Sequence, residues 1–179
     1  MKNEPRKETL LVLGGARSGK SSWALRYVEE AYASPVFLAT AQVLDEEMAE
    51  RVRLHREARG PGWKVLEEPL EVPHALLSRC EGADAVLVDC LTVWLSNVML
   101  QQGEARVKEY QTDLGSALER SPRSVILVAN EVGAGVVPEH RLGRVFRDAA
   151  GLLNQHVAAL ADRVVFLTAG LPLWLKGGS

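Results

Sequence analysis

The chain has 179 residues, 47% hydrophobic and 25% charged, with a formal net charge of -2. That is the size and composition of one globular domain with a sizeable core. The near-neutral balance gives no general attraction for nucleic acid or an anionic membrane, and no apolar run approaches the roughly 20 residues that cross a bilayer.

The opening stretch, "MKNEPRKET", lacks the apolar core and small-residue cleavage site of a signal peptide. Residues 1–8 are expected to form a loose end. "TLLVL" (9–13) is continuously apolar, as a strand covered on both faces should be. It runs into G-x-x-x-x-G-K-[ST] at residues 14–21: Gly14, Gly15, Ala16, Arg17, Ser18, Gly19, Lys20, Ser21. Glycines let backbone N–H groups turn inward around phosphate oxygens, and the helix that follows, "SSWALRYVEEA", adds its positive end. Lys20 suits the β- and γ-phosphates of a nucleoside triphosphate, and Ser21 suits Mg²⁺. A glycine-rich turn that only caps a helix is the alternative; motif, preceding strand and following helix all favour the phosphate loop.

"PVFLA" (35–39) is the second expected strand. "DEEMAERVRLHREAR" (45–59) follows with helical character. Asp45 suits its cap, and Glu46 and Glu47 suit its positive end. Arg51, His55 and Arg59 recur every four residues and so share one face. Two fixed positive charges beside an imidazole attract phosphate and hold the ring neutral and nucleophilic. A solvated basic face explains the same row, and the residues alone leave both readings open. Residues 57–73 carry three prolines and two glycines and read as a surface excursion with one short edge strand.

"AVLVD" (85–89) is the third long strand. Asp89 at its end suits Mg²⁺; the alternative is a cap for the helix that begins with "LTVWLSN". Cys80 and Cys90 have neither CxxC nor metal-ligand spacing and read as reduced thiols of a cytoplasmic protein. "SVILVA" (124–129) and "RVVFLT" (163–168) are further buried strands. The helix between them, over 138–161, shows Leu142, Val145, Phe146, Ala149, Leu153 and Val157, with Pro138 in its first turn. The "DAAG" at 148–151 resembles a GTP-switch motif but falls within that helix, and no N-K-x-D accompanies it, so these residues argue against a regulatory GTPase. His74, His140 and His156 read as surface or capping residues, and Trp23, Trp94 and Trp174 as core. The end, "KGGS", is expected to fray, residues 177–179 being loose. The βαβα order predicts a single α/β domain with a mainly parallel sheet flanked by helices.

The chain resembles the bifunctional adenosylcobinamide kinase / adenosylcobinamide-phosphate guanylyltransferase family of cobalamin biosynthesis. The resemblance runs over "GGARSGKS" (14–21), "ATAQVLDEEMAERVRLHREARGPGWKVLEEP" (39–69), "DCLTVWLSN" (89–97) and "NEVGAGVVPEHRLGRVFRDAAGLLNQHVAALAD" (130–162). It implies a RecA-like P-loop domain assembled as a homotrimer. The implied partners are adenosylcobinamide and adenosylcobinamide phosphate, with ATP and GTP as substrates and Mg²⁺ as cofactor. The implied chemistry phosphorylates the aminopropanol hydroxyl, then moves GMP from GTP through a guanylyl-histidine. That histidine corresponds to His55, with Leu54 before it where some relatives carry a second histidine. Nucleotide contacts correspond to Ala39, Thr40 and Ala41, to His55, Arg56, Glu57 and Ala58, and to Glu67 and Asp89. Two readings compete with this one: a monofunctional small-molecule P-loop kinase, and a nucleotide-binding regulatory module. Only the bifunctional enzyme forms a covalent GMP adduct.

Overall fold

A computed structural model describes residues 7–42, 53 and 62–178 of the chain. Among the described residues, seven strands form one sheet: β1 (Thr9–Gly14), β2 (Pro35–Ala39), β3 (Lys64–Glu67), β4 (Ala85–Asp89), β5 (Ser124–Asn130), β6 (Arg163–Thr168) and β7 (Leu171–Lys176), in the order β3-β2-β4-β5-β1-β6-β7. Each of these pairings is parallel except that of β7, which returns antiparallel along β6. Helices among the described residues include α1 (Lys20–Ala31), α2 (Val72–Ser78), α3 (Leu91–Gln102), α4 (Val107–Arg120) and α5 (Arg141–Leu160).

The apolar strand runs divide by alternation between two cores. Leu11, Val86, Val88, Val125 and Leu127 face the side covered by α2, α3, α4 and α5. Leu10, Val12, Leu87, Ile126 and Val128 face α1, which contributes Ala24, Leu25 and Val28. Both faces are covered, which is why these strands read as unbroken hydrophobic runs. Among the tryptophans, Trp94 is fully buried and donates Nε1 to the Leu70 carbonyl (2.7 Å). Trp23 and Trp174 are only half-buried and meet edge to face, 5.8 Å between centroids.

Several expectations need correction. α5 begins at Arg141, with His140 at the N-cap, so Pro138 precedes the helix instead of opening it. Its ring is pressed against Gly143, where an added Cβ would lie 2.8 Å from Pro138 Cβ. Glu8, expected in a loose end, is held: its amide donates to Ser124 Oγ (3.1 Å) and its carboxylate accepts from Tyr27 and Tyr32. At Gly178, just past the final strand, an added Cβ would stand 2.2 Å from Trp174 Cγ, and the expectation of a loose end over 177–179 is left as it stood. The strand β7 that leads there alternates exposed leucines with a proline and a tryptophan, a pattern that does not mark a strand in the sequence. The expected edge strand is β3, and 148–151 falls inside α5.

Candidate active site

All parallel strands point their C-terminal ends to one edge of the sheet, and the order of connection reverses beside β1; ligands of open α/β sheets bind at that kind of switch point. The phosphate loop emerges there, between β1 and α1. Gly14 lies opposite Asn130 on β5 and Leu167 on β6. A side chain at Gly14 would collide with Ser18 Oγ (2.4 Å) and the Leu167 carbonyl (2.7 Å), so only glycine fits. Arg17 (φ 55) and Gly19 (φ 90) take left-handed backbone that turns the loop into the helix. The β6–β7 turn braces it: the Gly170 amide donates to the Ser18 carbonyl (2.9 Å).

Lys20 is buried, and its Nζ donates to the Gly15 carbonyl across the loop (2.9 Å). Burial lowers its pKa, while the Cys90 and Asp89 side chains oppose that shift. Asp89 is therefore within electrostatic reach of Lys20 across the strand ends, as a nucleotide-metal site requires. Ser18 Oγ is buried and has no hydrogen-bond partner among the described residues. Ala16 and Arg17 are exposed at the tip of the loop.

Asp89 does not cap α3. The N-cap is Cys90, whose Sγ accepts from the Val93 amide (3.4 Å), and burial with the neighbouring Asp89 raises the thiol to about 11. Thr40 fixes this turn. Fully buried, its hydroxyl donates to the Cys90 carbonyl and accepts from the Cys90 amide, each at 2.8 Å. Asn97 of α3 completes the junction, donating to the carbonyls of Thr40 (2.9 Å) and Pro69 (3.0 Å). Registry then aligns three expected nucleotide contacts: Ala39 pairs with Glu67 on one side and with Asp89 on the other. Ala41 follows at the same edge, half-buried.

Sequence reasoning missed Glu131. It stands one residue past β5, and its amide donates to the Gly14 carbonyl (3.0 Å). An acid directly after an apolar strand was the available signal, the same one that singled out Asp89. Thr92 was also missed; its Oγ1 accepts from the Asn130 amide (2.7 Å), joining α3 to the end of β5. Arg51, His55, Arg56, Glu57, Ala58 and Arg59 lie outside the described residues. Of the helix expected over 45–59, Arg53 alone is described, and it is helical. His74 lies on α2, His140 at the N-cap of α5 and His156 within α5.

The family model for cobinamide kinase / cobinamide phosphate guanyltransferase matches residues 10–175, taking in the phosphate loop, the Asp89 turn and both edges of the sheet. The chain belongs to that family. Among its relatives, the bifunctional adenosylcobalamin biosynthesis protein CobP of Pseudomonas aeruginosa is 45% identical, with 93% of this chain and 96% of that protein covered. The protein CobU of Salmonella typhimurium, with the same bifunctional description, is 36% identical over 93% of this chain and 99% of its own.

Solved structures share the fold alone. The flagellar accessory protein FlaH of Methanocaldococcus jannaschii superimposes with a TM-score of 0.53 at 14% identity, covering 96% of this chain and 81% of that one. A second solved structure, an isolated ATPase domain, gives 0.52 at 12% identity, covering 90% and 69%. What they share with this chain is the fold, and the mostly parallel seven-stranded sheet with the phosphate loop at the end of β1 is RecA-like. As a cobinamide kinase and cobinamide phosphate guanylyltransferase, the chain is an enzyme that transfers groups from nucleoside triphosphates. Among the described residues, no helix is long and apolar enough to cross a membrane.

Proposed function

We propose that one nucleotide site, at the C-terminal edge of the sheet, serves both reactions. In the first, the aminopropanol hydroxyl of adenosylcobinamide attacks the γ-phosphorus of ATP or GTP and a nucleoside diphosphate leaves. In the second, His55 attacks the α-phosphorus of GTP and expels pyrophosphate; the phosphate of adenosylcobinamide phosphate then takes GMP from the histidine, giving adenosylcobinamide-GDP. The observation that supports a single site is the buried Lys20 held over Gly15, with Asp89 within electrostatic reach. Lys20 and the loop amides from Gly14 to Ser21 would hold the phosphates. Ala39, Thr40, Ala41 and Glu67, abreast of Asp89, would line the base end of the nucleotide, with Arg56, Glu57 and Ala58 beside His55. Arg51 and Arg59 would offset charge on the phosphate moving to His55.

Ser21 and Asp89 supply hard oxygen donors, which fit Mg²⁺. Bound there, the ion would neutralise charge on the phosphate oxygens. The carboxylate's electrostatic reach to Lys20 supports this assignment, and the cap on α3 belongs to Cys90 instead. We further propose a homotrimer in the cytoplasm, on the family resemblance.

Incubation with GTP labelled at the α-phosphate, followed by denaturing electrophoresis, tests the reading. The protein should retain acid-labile, alkali-stable label, as a phosphoramidate does. His55→Ala should take up none and form no GDP-linked product, while keeping part of the kinase activity. Label uptake by His55→Ala equal to the parent's would move the nucleophile elsewhere and leave the Arg51–His55–Arg59 row a solvated basic face.

A further inference from the structure

We propose that Glu131 is the general base of the kinase step, accepting the proton of the substrate hydroxyl as it attacks the γ-phosphorus; this rests on the kinase activity given above. β5 lies between β4, which carries Asp89, and β1, which carries the phosphate loop. Neighbouring strands are about 4.8 Å apart. Glu67 therefore ends a strand about 19 Å from β1, and Asp89 one about 10 Å away, while Glu131 follows the strand next to it. The Glu131 backbone is also tied to the loop itself, its amide donating to the carbonyl of Gly14 (3.0 Å).

The side chain is arranged for exchange of a proton. Glu131 Oε1 accepts from the Gly133 amide (2.6 Å), and Oε2 has no hydrogen-bond partner among the described residues. A Cβ at Gly133 would lie 2.8 Å from Oε1, so glycine there leaves the carboxylate its place. Arg147 of α5 secures the turn, donating to the Gly133 carbonyl (2.7 Å). Glu131 itself is half-buried, so its carboxylate keeps some access to solvent. With Asp89 assigned to the metal, Glu131 is the remaining strand-end carboxylate beside the phosphate loop among the described residues. In the step, the hydroxyl oxygen bonds to the γ-phosphorus as its proton passes to Glu131. The bond from that phosphorus to the β,γ-bridging oxygen breaks, and the electron pair leaves with the nucleoside diphosphate. Glu131 then gives the proton to water.

The alternative is that Glu131 only ties its loop through Gly133. Glu131→Gln separates the two, because the amide oxygen still accepts from Gly133 while the basic oxygen is gone. We expect cobinamide phosphorylation by Glu131→Gln to fall on the order of 10²-fold in kcat, with KM for ATP within about threefold of the parent's. Uptake of label from α-labelled GTP, which involves no hydroxyl deprotonation, should stay within about twofold. Kinase turnover within threefold of the parent's would overturn the proposal. Equal loss of both activities would also overturn it, since the carboxylate would then serve the shared phosphate site. A parent protein that takes up label but never phosphorylates cobinamide would instead sink the kinase reading, and the base with it.

Discussion

At the scale of single residues, the phosphate loop divides labour between backbone and side chains. Lys20 is the loop's one buried cation, held by the Gly15 carbonyl in surroundings that disfavour its charge. Such a charge is retained for what it does to phosphate, because burial works against it. Lys20→Met keeps the length and bulk of the chain. It should lower both cobinamide phosphorylation and label uptake by about 10²–10³-fold, the cost of removing one electrostatic stabiliser, with little loss of thermal stability. Ser18 should behave in the opposite way. Its hydroxyl makes no hydrogen bond among the described residues, so Ser18→Ala removes no partner. Turnover and melting temperature close to the parent's are expected; a large loss of turnover would show that the hydroxyl itself engages the nucleotide.

Between elements, the decisive joint is the one that aims Asp89. β2 and β4 run side by side, and Thr40, just past β2, grips both backbone groups of Cys90, just past β4. Cys90 in turn opens α3. One hydroxyl thus fixes where the strand carrying Asp89 stops and where the helix starts. Thr40→Val preserves shape and removes both bonds, leaving the buried Cys90 N–H short of a partner while its C=O keeps the Trp94 amide (3.1 Å). The expected cost is about 1–3 kcal/mol, read as a lower urea midpoint, together with weaker Mg²⁺-dependent turnover as Asp89 loses its fixed aim. An unchanged midpoint would mean that the Cys90 amide finds another partner.

Over the whole molecule, the first strand is tied to α1 and β6 far from the phosphate loop. Glu8 accepts from Tyr27 and Tyr32 of the α1 region, and Arg163 of β6 donates to Tyr27 Oη (2.8 Å) and lies over the Trp174 ring (4.2 Å). Burial, before any other influence, pushes Tyr32 up to about 12 from an ordinary 10.0, with the Ser124 hydroxyl acting against it and Glu8 with it. Burial and the Glu8 hydrogen bond raise Tyr27 as well. A phenol whose pKa is higher folded than unfolded contributes stability that is complete below the unfolded pKa and is lost as pH climbs through the folded one. Stability should therefore fall between pH 10 and about 12, by an amount on the order of 2 kcal/mol. The double variant Tyr27→Phe, Tyr32→Phe should be less stable at neutral pH and show a flatter decline over that window. A urea midpoint that drops equally between about pH 9 and about pH 11 in the parent and the double variant, either side of the ordinary phenol value, would count against this cluster as the alkaline weak point.

The sequence by itself determined the α/β class, the long buried strands, the phosphate loop and the placement of Asp89 at a strand end. Those features are local: a strand covered on both faces must be apolar throughout, and a loop that wraps phosphate must have glycine where side chains would collide. The family was legible too, because "NEVGAGVVPEHRLGRVFRDAAGLLNQ" and the blocks before it follow one another in a fixed order. Tertiary structure alone decided what depends on residues distant in the chain. Whether Asp89 or Cys90 caps α3 turned on Thr40, 50 positions away from Cys90. The return of β7 along β6 rests on pairing with a neighbour, and its half-exposed sequence lacks the run of a covered strand. Glu131 stayed hidden for the same reason. Its place beside the phosphate loop comes from β5 inserting between β4 and β1, and strand order is set by how helices cross the sheet, which no local spacing records.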